Sequence, residues 1–119
     1  MIEYSIISVE INEKQNDLSF MRYELARCEA EITTLKADIE SGNIHFDIPL
    51  GADPTAVYAD AVASMQNEIC EHERQAEELK DAIAETEARI EELRVIEREY
   101  QEVQDAICAE LMNSIEDFI

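Results

Sequence analysis

Helix breakers, large rings and positive charge are all scarce in this chain. Its 119 residues include two glycines, two prolines and no tryptophan, and aromatics make up 6%. So few turn-formers exclude a β-sandwich or barrel, which needs a turn signal roughly every 8–12 residues. Nine Lys and Arg stand against 29 Asp and Glu, for a net charge of −20. No basic residue lies between Lys36 and Arg74, and none follows Arg98. That balance argues against direct contact with nucleic acid, whose phosphates would be repelled with no counterions released. It argues equally against an anionic membrane surface. Long apolar runs are absent, so neither a membrane span nor a signal peptide is expected. Cys28, Cys70 and Cys108 form no CxxC pair, which fits free thiols in a reducing cytoplasm.

Alanine, glutamate, isoleucine and leucine are plentiful, as in long helices. Residues 1–11 are β-branched and aromatic enough for either a strand or a first helical turn. The polar NEKQND at 12–17 reads as a break, making 1–17 an N-terminal segment. From Leu18 a heptad emerges, with Leu18, Leu25, Ile32 and Ile39 at one position and Met21, Cys28 and Leu35 at the other. These line one seam of a helix over 18–41. Gly42 supplies the left-handed residue of a C-terminal cap.

Residues 42–53 form a connection. Ile44, Phe46, Ile48 and Leu50 alternate with polar residues or Pro49, which predicts an extended segment with one buried apolar side. Asp53 and Pro54 then fit the N-cap and first position of a second helix. That helix spans 54–118, with a heptad running from Val62 through Met65, Ile69, His72, Ala76, Leu79, Ile83, Thr86 and Ile90 to Leu93. At 93–96 three residues replace four, a stammer that overwinds or bends a coiled coil. The predicted fold is therefore all-α: an antiparallel coiled-coil helical hairpin with a short extended connection. Two helices alone bury little apolar surface, so self-association is expected as well.

No residue set announces catalysis. Cys70 and His72, two apart on a helix, point in different directions and cannot share a metal. His72 at a seam position reads as a polar residue that fixes register. His45 beside Asp47 has no nucleophile in a recognisable motif. Glu68 lies four residues before His72, whereas di-metal bundles use a duplicated Glu-x-x-His. The expectation is no enzyme, no cofactor and no metal.

The remaining chemistry is acidic. Carboxylates repeated along a helix can imitate the phosphate ladder of a duplex and occupy a nucleic-acid-binding cleft. Asp60, Glu68, Glu71 and Glu73, with Glu110, Glu116 and Asp117, are the candidate partner-binding residues. In size, acidity and layout the chain resembles small phage-encoded inhibitors of host nucleases and CRISPR effectors. Prefoldin subunits share the two helices, but the insert here is too short for their hairpins. The expected function is a non-enzymatic inhibitor or sequestering protein acting on a basic, nucleic-acid-handling protein, and forming a homodimer. The alternative is a coiled-coil assembly scaffold or chaperone that works through Ile44, Phe46, Ile48 and Leu50, or through the tail residues Ile115, Phe118 and Ile119.

Charge also predicts a register. With Ile32 facing Leu79 and Leu18 facing Leu93, the flanking pairs Lys36–Glu73, Glu29–Lys80, Arg22–Glu87 and Glu24–Arg89 all attract. Sliding by one heptad sets Arg22 beside Lys80 and Glu29 beside Glu73, which repel. A slide of two heptads leaves mostly neutral pairs, shortens the connection and is the main competitor. Each exposed pair contributes ~0.3–0.5 kcal/mol.

Overall fold

A computed structural model describes the backbone of residues 4–118 and the side chains of 5–116. It contains two helices, α1 (Tyr4–Ser41) and α2 (Pro54–Phe118), and no strand among the described residues. The chain is all-helical, and the two helices pack against each other as a helical hairpin requires. Contacts cluster into two compact units, one formed by residues 1–19 with 84–119 and the other by residues 20–83.

The first helix begins at Tyr4, not at Leu18. NEKQND does not interrupt it, because none of its residues opposes a helix strongly and the seam continues on both sides. Ile7, Ile11, Lys14 and Leu18 follow the 4-3-4 spacing of the heptad. Ile7, Ile11 and Leu18 are buried, and Lys14 is half-buried between them. Burial of the apolar flanks outweighs the modest propensity cost of the polar stretch.

The end of α1 is a Schellman cap. Gly42 takes φ +74°, its N–H donates to the Ile39 carbonyl at 3.3 Å, and the Asn43 N–H donates to that of Asp38 at 2.9 Å. Both bonds satisfy carbonyls that the helix leaves orphaned. A second reversal follows at Pro49-Leu50-Gly51-Ala52, closed by the Ala52 N–H on the Pro49 carbonyl at 3.0 Å. Gly51, at φ +84°, occupies the position where a type II turn favours glycine. Asp53 caps α2 as its sequence suggests, accepting from the Thr55 N–H at 3.2 Å.

The connection is less buried than its alternation predicts. Ile44 is half-buried, and Phe46 meets Tyr58 edge to face at 5.5 Å. Ile48 and Leu50, however, are 50% and 107% exposed. One continuous buried apolar side therefore does not form.

The register also differs from the charge-based expectation. In the unit of residues 1–19 and 84–119, Leu93 packs with Ile7 and Ile11, not Leu18. In the unit of residues 20–83, Glu31 meets His72 at 2.8 Å and Cys28 Sγ lies 3.8 Å from Gln75. His72 thus stands where Leu79 was expected. In both places the pairing is displaced by one heptad. The charge argument counted from Leu18 and left out Ile7 and Ile11. Burying an isoleucine stabilises by ~1.5–3 kcal/mol, more than several exposed pairs. Lys36 and Glu73 still meet, at 3.6 Å, because the lysine arm spans about one turn. Lys80 instead reaches Glu77, and Arg89 reaches Glu10 and Glu92.

Leu93 is 2% exposed, the lowest value among the buried core residues. Leu93→Ala should cost ~2–4 kcal/mol, read by urea unfolding followed by circular dichroism. Leu50→Ser should change stability by less than ~0.5 kcal/mol. A neutral Leu93→Ala would show that Ile7 and Ile11 do not anchor the register.

Candidate interaction surfaces

Asp60, Glu68, Glu71 and Glu73 are all exposed on α2, but they do not form one ladder. At about 100° per residue, Asp60 and Glu71 lie within ~20° of each other around the helix. Glu68 is roughly 80° from Asp60, and Glu73 points to the far side. Two of the four are also engaged. Glu73 pairs with Lys36. Glu71 is held by Arg74, whose Nε donates to Oε2 at 3.2 Å and whose Nη2 donates to Oε1. Arg74 also pairs with Glu78. The hydrogen bond from Arg74 holds the Glu71 carboxyl below the usual carboxylate range, and bonding to Glu71 raises Arg74 further above its already high value. The line Asp60–Glu71–Arg74–Glu78 is therefore acidic with a cation set into it. The i−3 and i+4 spacing of Glu71 and Glu78 around Arg74 was readable in the sequence.

Asp60 and Glu68 make no ion pair among the described residues, and the same holds for Glu110 and Glu116. Glu68 borders an open groove with Arg27, Thr34, Leu35 and His72. The side chains of Asp117 and Phe118, and the whole of Ile119, lie outside the described residues.

His72 is the seam position where polarity is most consequential. Its Nε2 faces Glu31 Oε2 at 2.8 Å, while Nδ1 is buried without a partner. Cys70 is exposed and borders a separate groove with Lys36 and Ile39. His45 and Asp47 both face solvent. No group of three or more His, Cys, Asp or Glu is arranged to hold a metal among the described residues. No helix there is long and apolar enough to cross a membrane.

In the last part of α2, where the sequence pointed to Glu110, Glu116 and Ile115, the exposed apolar surface is more extensive than those residues. Val103, Ile107, Leu111, Met112 and Ile115 are 47–60% exposed. Around the helix, Val103, Ile107, Leu111, Met112 and Ile115 fall on one half-turn, and Glu99, Glu102, Asp105, Glu110 and Glu116 fall on the other, with Ala106 and Ala109 among them. Near its start, Ile7 of α1 completes an apolar groove with Ile96, Tyr100, Val103 and Ile107. The signal was the recurrence of Val103, Ile107, Leu111 and Ile115 at four-residue steps.

No protein-family model, curated protein or solved structure matches this chain. The functional argument therefore rests on surface chemistry alone.

The clamp at Arg74 yields a titration test. A carboxyl with a depressed folded value adds stability above its unfolded pKa and loses it as pH falls through the folded one. In Arg74→Gln the Glu71 titration should move up towards the ordinary carboxylate range, followed by carboxyl-carbon NMR. An unmoved midpoint would show that Arg74 does not hold Glu71 in solution. Because Glu71 is fully exposed, global stability should barely change.

Proposed function

We propose that this chain is a non-enzymatic acidic binding protein, an inhibitor or sequestering protein for a basic, nucleic-acid-handling partner. The observation that carries the reading is the placement of unpaired carboxylates within stretches that hold no Lys or Arg. Asp60 and Glu68 fall in the stretch between Lys36 and Arg74, and Glu110 and Glu116 in the one after Arg98. In the well-supplied parts of the helices, acids are tied by neighbouring cations, as at Arg27, Arg74 and Arg89. Where no cation is supplied, the negative field is left for a partner to neutralise. Mimicry of a phosphate ladder is then local, carried by Asp60 and Glu68 at one end of α2 and by Glu110, Glu116 and Asp117 at the other. Glu71 and Glu73 join it only when the partner displaces Arg74 and Lys36.

The same reading includes a coiled-coil hairpin acting in the cytoplasm and associating as a homodimer. Phe20 and Tyr23, 65% and 66% exposed on α1, are the apolar material available for that association. A second reading, an assembly scaffold or chaperone, is favoured by the exposure of Ile48 and Leu50 in the connection, with Ile44 and Phe46 beside them.

Charge reversal separates the two. Asp60→Lys, Glu68→Lys, Glu110→Lys and Glu116→Lys, combined, should weaken capture of the partner from cells carrying the protein by more than about tenfold, or 1.4 kcal/mol. Helicity should be retained, and duplex DNA should compete for the captured protein. Capture that survives both the reversal and roughly half-molar salt, where surface attraction is strongly screened, would replace the acidic interface with an apolar one.

A further inference from the structure

We propose that the C-terminal part of α2 is a docking face for one amphipathic helix of a partner, apolar along its centre and bordered by Lys or Arg. The inference rests on residues 103–116 and does not depend on Asp60 or Glu68. Two observations meet there. Val103, Ile107, Leu111 and Ile115 recur at four-residue steps and are 47–59% exposed, the spacing of a helix ridge that packs into the groove of another helix. Among the described residues of α1, Ile7 borders the groove of Ile96, Tyr100, Val103 and Ile107, while Leu111 and Ile115 beyond it are 59% and 55% exposed.

Charge selects the occupant. Both edges of the apolar half-turn are acidic, with Glu110 along one edge and Asp105 and Glu116 along the other. From residue 99 to residue 116 the sequence has five acids and no base. A second copy of the same face would oppose acid to acid along both edges, and like charges across an interface are strongly disfavoured. A helix with basic borders satisfies both edges while its apolar centre covers the ridge, the helix-in-groove mode of recognition. Gln101 and Asp105 are already hydrogen-bonded to each other at 3.0 Å, leaving the second Asp105 oxygen for such a border.

The test uses the full chain and labelled synthetic helical peptides of about 21 residues, which span six turns. One peptide carries a Leu/Ile stripe bordered by Lys. Its twin has Glu in place of Lys, and a third has the same Lys but a Ser/Gln stripe. By fluorescence anisotropy the Lys-bordered apolar peptide should bind at least tenfold more tightly than either of the others. Leu111→Asp and, separately, Ile107→Asp should each lower that affinity tenfold or more with unchanged helicity, while Asp60→Lys with Glu68→Lys should leave the stripe-dependent difference intact. Equal binding of the apolar and polar Lys peptides would reduce the effect to general electrostatics and overturn the proposal. So would a dimer that Leu111→Asp converts to monomer in sedimentation and that the Lys-bordered peptide fails to dissociate, since the face then belongs to a second copy.

Discussion

Everything in this molecule depends on a narrow apolar seam where α1 lies against α2. Its buried members are few: Ile7, Ile11, Leu18, Cys28, Ile69, Ala76, Ile90 and Leu93, with no buried polar or charged residue beside them among the described residues. That line must hold together a chain whose net charge of −20 opposes compaction. Helices of this length need no tertiary help to be helical in part, but their pairing does. The buried surface is thin because most side chains of both helices are exposed or half-buried. The exposed positions are free to carry charge.

The cations are spent locally. Arg27, Arg74, Lys80 and Arg89 each reach an acid three residues away on their own helix, and Arg89 and Lys36 also reach across to the other helix. Such exposed pairs are individually weak, yet they decide where negative charge is damped and where it is not. Around Arg74 the surface is mixed. Near Asp60 and beyond Arg98 it is not. Unmatched charge and exposed apolar surface thus coincide near the end of α2.

The register shows how a small error in element boundaries changes a charge argument. Treating NEKQND as a break removed Ile7 and Ile11 from consideration, and the remaining seam positions left ion pairs to choose between registers one heptad apart. Once α1 includes those isoleucines, packing on Leu93 decides. The Lys36–Glu73 pair forms in the observed register too, so that contact alone could not discriminate. The connection taught a related lesson. Alternation of Ile44, Phe46, Ile48 and Leu50 spoke for a sided segment, but Ile48 and Leu50 face solvent.

The sequence by itself determined the all-helical class, the heptad seam, the cap at Gly42, and the start of α2 at Asp53-Pro54. These follow from residue spacing and backbone chemistry within a few residues of each position. It also determined where cations are missing, and hence which surfaces stay negative. Tertiary structure decided the register, the exposure of Ile48 and Leu50, and the exposure of Leu111 and Ile115 near the end of α2. Those depend on which distant side chains compete for the same apolar surface, and a heptad repeats identically at every candidate alignment until burial at its ends breaks the tie.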